Sequence, residues 1–384
     1  MSSYRTVVTL ATRVFEPEAT AAAFRLGAFV RTVTASGNAV RVVTSRVPGY
    51  TETRTDVHRW PVLRDRAGAV RGYVQYASFD IPLFFRLLFG RRSDVYVVEP
   101  PPTTGAITRI AAWLRRTPYV YFAADVLSTA AAGIGVHPVI VSGVRTLERF
   151  ALTGAAGVLA VSEAVKHEVV ALGADPARVT VVGTGIDIRA FPLAGPKAEP
   201  GYDYFIYAGT MSEIHGAGVF IDAFDEIAAD HPDVRLMMFG SGVEVEALRE
   251  KAGRFGDRVQ FPGLLGADEL SEWIRGAVAS LASVRPGRGY DFAFTTKALT
   301  SLSCGTPVVY AGVGPMADMI ARDDLGWVAD WDVLAVSGAM RAALAQRTAD
   351  RSARLSEWVE SHYSADAVAR TALGAVLAVA SSRR

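Results

Sequence analysis

Along the chain, short β-branched apolar runs alternate with longer stretches in which apolar positions recur every three or four residues. The first pattern predicts strands buried on both faces, and the second predicts amphipathic helices. In the first half, strands are expected at 6–10 (TVVTL), 40–44, 94–99, 119–123, 158–161 and 179–182. Helical stretches lie between them, including 19–35, 145–152 and 162–172, and the first stops at Gly37-Asn38. Between 191 and 204 the pattern breaks into Pro192, Gly195, Pro196, Pro200 and Gly201, a linker composition. It restarts with strands at 204–208, 234–239, 259–261, 278–282 and 307–310, separated by helices at 217–229, 244–254, 267–275, 296–303 and 316–321. Residues 333–380 read as mostly helical. Such alternation gives parallel sheets. The expected organisation is an α/β domain over 1–190, a linker over 191–203, a second α/β domain over 204–365 and a terminal helix over 366–384 that packs back on the first domain.

Composition narrows the partners. A length of 384 residues suits two domains at roughly 150 residues each. Forty Lys+Arg against 39 Asp+Glu leave a net charge of +1, so no overall basic excess points to nucleic acid. The lone cysteine, Cys304, can form no intramolecular disulfide and no multi-cysteine metal site, which suits a reducing, cytoplasmic compartment. No leader-like layout opens the sequence and no apolar run has bilayer-spanning length. The run 79–92 (FDIPLFFRLLFGRR) would suit a helix lying on a membrane surface. A helix packed on a sheet looks much the same, and the strand that follows favours packing. Membrane contact is therefore expected to be peripheral at most, at the inner face.

Several loops carry candidate chemistry. Tyr207-Ala208-Gly209-Thr210 ends the first strand of the second half and leads through His215-Gly216 into a helix. A strand, a glycine loop and a helix N-terminus offer free N–H groups and a positive dipole end to a phosphate. The alternative is that the glycines only permit a tight turn. Phe239-Gly240-Ser241-Gly242 is a second such turn, open enough for a flat ligand to approach the backbone. Arg285 and Arg288 in RPGRGY precede Thr295, Thr296 and Lys297. A cation in the first turn of a helix opposes the dipole, so Lys297 is hard to explain without an anion nearby. The threonines would cap that helix. Gly312-Val313-Gly314-Pro315-Met316-Ala317 fits G-x-G-x-x-A, but it lies late in the half and reads as a turn into a helix. In the first half, Glu16 and Glu18 follow the first strand and Asp125 follows the strand at 119–123, where an acceptor hydroxyl could be held. The two glutamates would equally complement a helix dipole. No P-loop, no G-x-S-x-G motif and no metal-ligand cluster is present in the sequence.

Taken together, RVFEPEATAAAFR (13–25), EPPPTTG (99–105), LERFALTGAAGVLAVSE (147–163), VTVVGTGID (179–187), YAGT at 207, FGSG at 239 and TKALTSLSCGTPVV (296–309) resemble the family-4 glycosyltransferases, over nearly the whole length. Several of these pieces are similar to the subgroup that builds cell-surface polysaccharides and glycolipids. The resemblance implies a GT-B architecture, two Rossmann-like domains with mainly parallel sheets facing across a cleft. It implies transfer of a sugar from a nucleotide-diphosphate donor to a hydroxyl, with retention and without a metal or other cofactor. Donor contacts would come from Gly209, Thr210, His215, Gly216, Gly240, Arg285, Asp291, Lys297 and Thr300. Acceptor-side contacts would come from Glu18 and Asp125, the acceptor being a glycan, a lipid-linked sugar or a small glycoside. His215, Lys297 and Asp125 are the catalytic candidates. Three departures stand out: the family's glutamate pair falls on Phe292 and Thr300, its donor-loop Arg and Lys appear as Glu213 and His215, and Thr184 replaces the Asn of its N-G-[VI]-D turn. They leave two alternatives open: a sugar-nucleotide-binding protein without transfer activity, and a sugar-nucleotide epimerase.

Overall fold

The computed structural model describes residues 5–18, 20–65, 68, 70, 72–133, 136–288, 291, 294–347 and 350–382. They fall into two compact units: the residues up to Gly185 together with those from Ala365 on, and Ile186–Ser364. Phe292 lies outside the described residues, as do Gly289 and Tyr290 of the RPGRGY loop.

In the first unit the elements run β1 (Val7–Ala11), α1 (Ala21–Ala35), β2 (Ala39–Ser45), β3 (Val57–Trp60), α2 (Tyr73–Phe89), β4 (Val95–Val98) and α3 (Pro102–Arg115). They continue with β5 (Tyr119–Ala123), α4 (Leu127–Gly133), α5 (Pro138–Thr153), β6 (Gly157–Ala160), α6 (Glu163–Ala171) and β7 (Val179–Val181). All described strand pairs are parallel, in the order β3-β2-β1-β4-β5-β6-β7. One face of the sheet packs Phe79, Leu83 and Leu87 of α2 against Trp60, Tyr96 and Tyr121. The other packs Leu26, Phe29 and Val30 of α1 with Val368, Leu373 and Val376, which belong to the C-terminal helix. The β-branched strands are thus covered on both sides, as their unbroken apolar runs require. Thr20 starts α1, its hydroxyl accepting from the Ala23 N–H at 3.1 Å.

The second unit repeats the arrangement with β8 (Tyr204–Ala208), α7 (Gly218–Ala228), β9 (Arg235–Phe239), α8 (Val245–Ala252), β10 (Val259–Gly263), α9 (Ala267–Gly276) and β11 (Ala279–Val284). It continues through α10 (Thr296–Ser303), β12 (Val308–Gly312), α11 (Pro315–Arg322), β13 (Gly326–Ala329), α12 (Val333–Ala345) and α13 (Ser352–His362). Then α14 (Ala365–Ser381) returns to the first unit and lies on α1 and β6. The strand order β10-β9-β8-β11-β12-β13 is again wholly parallel among the described pairs. Both sheets reverse their winding once, between β1 and β4 and between β8 and β11. Ligands of doubly wound sheets bind outside the carboxyl ends of the strands at that reversal.

The Pro/Gly-rich stretch read above as a linker is held against the second unit. Ser303 Oγ donates to the Phe191 carbonyl at 2.7 Å, and Arg275 donates to the carbonyls of Pro192 and Pro196 at 2.9 Å each. Cys304 is a buried packing residue, its thiol pushed up to about 12 by burial. Pro315 sits in the first turn of α11 after Gly314 at φ 94°, so that glycine pair serves the turn into the helix.

Candidate functional site

At the reversal point of the second sheet, two glycine turns lie back to back. The Gly209 N–H donates to the Phe239 carbonyl at 3.0 Å, and the Met211 N–H donates to the Ser241 carbonyl at 2.9 Å. Gly209 and Gly240 hold φ of 145° and 130°, and a Cβ on Gly240 would run into the Gly209 carbonyl. Only glycine lets these two backbones approach so closely.

The loops open on a cavity of about 460 Å³, lined by Gly209, Thr210, His215, Gly240, Lys297 and Thr300 among the residues expected from sequence. Its other wall is apolar, from Phe239, Leu264, Leu265 and Leu270, with Phe191, Phe294 and Thr295 adjoining. Among the described residues no carboxylate lines it. Lys297 reaches in from the first turn of α10. Its ammonium donates to the Tyr207 hydroxyl at 2.8 Å and lies 4.5 Å from the centre of the Tyr207 ring. The same hydroxyl donates to the Thr210 carbonyl at 2.8 Å. No ion pair to Lys297 forms among the described residues, and burial brings its pKa down to about 7.

Thr295 occupies the N-cap position of α10, yet its hydroxyl makes no capping bond. Its Oγ1 is buried without a partner among the described residues, so the expected cap is absent and the helix N-terminus stays unsatisfied beside Lys297. Thr296 is exposed, and its carbonyl accepts from the Thr300 hydroxyl at 3.0 Å. His215 Nδ1 lies 3.3 Å from the Ser283 carbonyl, an atom that can only accept. Burial first, and the Lys297 charge second, lower the His215 pKa, so the ring is neutral at pH 7 with Nε2 unprotonated.

Three expected donor residues stand off the cavity wall. Gly216, at φ 57°, faces the Trp331 ring, and the Arg285 N–H is tied to the Ile214 carbonyl at 2.8 Å. Asp291 is exposed and its carboxylate accepts from the Gly287 N–H at 3.0 Å, which closes its own loop. Arg288 is exposed as well. Sequence reading missed the apolar wall; Leu264-Leu265, following a strand at the same edge, was its available signal.

The carboxyl edge of the first sheet is differently furnished. Asp125, just beyond β5, is exposed, with the charges of Arg25, Arg13 and Glu99 nearby. Arg25 and Glu99 form a buried ion pair, and Thr12 Oγ1 donates to Glu99 at 3.4 Å. Burial pushes the Glu99 carboxyl up, opposed first by Arg25 and then by Arg13. Glu18 accepts from Arg64 at 2.7 Å and Glu16 from Arg31 at 2.6 Å. Both glutamates are therefore ion-paired, and the α1 cap is Thr20. The structure shows no contact between Glu18 and Asp125. The Arg25–Glu99 pair went unseen in the sequence, because 74 residues separate its partners and no spacing rule joins them.

Comparison with known proteins adds independent findings. Residues 19–185 match the family model described as "Glycosyl transferase 4-like domain", and residues 202–346 match "Glycosyl transferases group 1". D-inositol 3-phosphate glycosyltransferase from Frankia alni is 31% identical over 217 residues, covering 52% of this chain and 50% of that protein. The chain spans about half or less of the length of the first curated relatives it matches. Among solved structures, sucrose-phosphate synthase from Thermosynechococcus elongatus superposes over 99% of this chain and 100% of its own at TM-score 0.73 and 16% identity. HepE from Anabaena, solved in complex with UDP, superposes over 97% and 100% at TM-score 0.68 and 15% identity. At these identities the structural likeness is one of fold.

Proposed function

We propose, from the premise that the chain belongs to the family-4 (group 1) glycosyltransferases of GT-B fold, that it moves a sugar from a nucleoside diphosphate donor to an acceptor hydroxyl. One observation carries this reading. Lys297, the uncapped start of α10 and the Gly209–Thr210 loop converge on a single cavity without a carboxylate among the described residues. A diphosphate would complete all three. Its charge would restore the Lys297 ammonium to full protonation, and the N–H groups of α10 would find acceptors. The nucleobase would lie against Phe239, Leu264 and Leu265, where the glycine turns leave the backbone open.

As the glycosidic bond to the donor breaks, negative charge gathers on the leaving diphosphate. Donors already aimed there lower the barrier without reorganising. In this reading Lys297 neutralises that charge in place of a metal, and His215 takes a solvent proton at Nε2 on donor binding so that it too donates to the diphosphate. The departing phosphate oxygen accepts the proton of the acceptor hydroxyl, so the sugar is transferred with retention. Acceptor contacts are assigned to the carboxyl edge of the first sheet, where exposed Asp125 is free to hold a hydroxyl and Glu18 is committed to Arg64. The acceptor class stays a glycan, a lipid-linked sugar or a small glycoside.

A second reading, donor binding without transfer, is favoured by one feature. One glutamate position of the family falls on Thr300, so no carboxylate there meets the donor sugar, and its hydroxyl donates to its own helix. The epimerase alternative needs an acid–base pair at that sugar, and the same feature counts against it. Calorimetry with UDP, GDP, ADP and dTDP tests the site, and heat from none of them overturns it. Glycoside formation from the matching sugar nucleotide, undiminished by a chelator, separates transfer from binding alone.

A further inference from the structure

More than half of the large apolar side chains exposed among the described residues stand on α2, α3 and α5, neighbouring helices on one face of the first sheet. Phe85 and Phe89 of α2 are 52% and 76% exposed, and their rings stack with centroids 6.3 Å apart. Trp113 of α3 is 76% exposed. The core-facing residues Phe79, Leu83 and Leu87 already satisfy the sheet, so these outward rings are not needed for packing. The run 79–92 therefore packs on the sheet with one side and leaves its outer rings without a packing role.

The charges on this face have one sign. Arg86, Arg109, Arg115, Arg145 and Arg149 lie on the three helices, and Arg91 and Arg92 follow α2. The only acids on these helices, Asp80 and Glu148, are 4% exposed and turned inward, to Thr104 and to the Leu127 N–H. Among the described residues the partners these arginines have are rings and neutral oxygens: Arg86 lies over Trp60, Arg109 over Phe150, and Arg115 donates to the Gly90 carbonyl. A hollow of about 460 Å³ under the carboxyl end of α2 is lined by Arg41, His58, Arg86 and Arg91, with Phe85 and Phe89 beside them and no carboxylate among the described residues. The chain as a whole is electrically balanced, so this one-sided face is a local arrangement.

We propose that the outer face of α2, α3 and α5 docks on an anionic lipid bilayer, with Phe85, Phe89 and Trp113 entering the headgroup–acyl boundary and Arg86, Arg91 and Arg92 meeting lipid phosphates. Aromatic rings flanked by arginines suit that boundary, where each finds its preferred depth. Among the described residues no helix is long and apolar enough to cross a membrane, so the face lies on the bilayer. A second copy fits poorly, because a two-fold contact would set the arginines against themselves with no exposed acid on the helices to receive them. This inference is independent of the donor site.

The test is sedimentation of the full chain with vesicles of phosphatidylcholine alone and of phosphatidylcholine with phosphatidylglycerol. The expected result is binding to the anionic vesicles only. Replacing Phe85, Phe89 and Trp113 together by Ser should weaken it at least ~10-fold, and Arg86→Gln with Arg91→Gln and Arg92→Gln should do the same. Nucleoside diphosphate affinity should stay unchanged in both variants, which controls for folding. No sedimentation with anionic vesicles overturns the proposal, as does sedimentation that neither variant reduces. Concentration-dependent dimerisation abolished by the aromatic variant, without lipid binding, would assign the face to a second copy instead.

Discussion

The two sheets are wound in the same order, yet their carboxyl edges have opposite electrostatic designs. The first is neutralised from within: Arg25 meets Glu99, Arg64 meets Glu18 and Arg31 meets Glu16. In the second, glycine turns, an uncapped helix and Lys297 leave positive charge unanswered. A fold therefore does not dictate the chemistry at its own switch point. The side chains decide whether that edge is finished or waiting for a ligand.

Removing one cation from each edge should separate the two designs most strongly. Arg25→Met strands the Glu99 carboxylate and should cost about 3–5 kcal/mol of stability, read by calorimetric unfolding, with nucleoside diphosphate affinity retained. Burial already holds the Glu99 carboxyl above the ordinary 4.5, and without Arg25 to oppose it the variant's folded state takes up a proton more readily than its unfolded chain as pH falls. The deficit should therefore narrow as pH falls from 7 towards 5. A loss that ignored pH would break this side of the comparison.

Lys297→Met should do the reverse. We expect nucleoside diphosphate affinity to fall about 100-fold, roughly 2.7 kcal/mol, while the melting temperature rises. The sign follows from the amine. Its folded pKa of about 7 lies below the ordinary 10.5, so the unfolded chain holds more protons between those values. Wild-type stability should then climb as pH rises through that window, and the Met variant should lose the slope. A destabilised Lys297→Met protein would refute the picture of a cation kept at a cost.

Proton linkage is a finer test. Binding a diphosphate should restore Lys297, taking up about 0.9 proton at pH 8 and about 0.1 at pH 6 from this group alone. Calorimetry in buffers of different ionisation enthalpy reads this directly. The smallest expected effect is that of Thr295→Val. Its hydroxyl caps nothing, so stability should move by less than about 0.5 kcal/mol, while affinity drops about 3- to 10-fold if the ligand supplies the missing partner. Equal affinity would place the ligand away from α10.

The alternation of strands and helices was legible because a parallel sheet buries both faces of each strand, leaving short apolar runs. The strands missed were β3 and β13, four-residue edge strands whose exposed positions weaken that signal. Lys297 could be found by a local argument, since a cation at a helix start contradicts the dipole. Arg25 with Glu99 could not, because only the folded sheet brings residues so distant in sequence together. Gly216, Arg285 and Asp291 are near the cavity in sequence but do not line it, which neighbourhood along the chain alone could not tell.

The return of α14 to the first unit has a consequence for synthesis. Ile186–Ser364 is a continuous stretch, whereas the first unit lacks Val368, Leu373 and Val376 from its core until α14 has emerged after it. Although its strands are translated first, that unit must be the later of the two to mature on the ribosome. A Cβ placed on Gly185 would lie 3.4 Å from the Ala365 Cα, so the two ends of the inserted stretch adjoin. The second unit is in this sense a guest within its host.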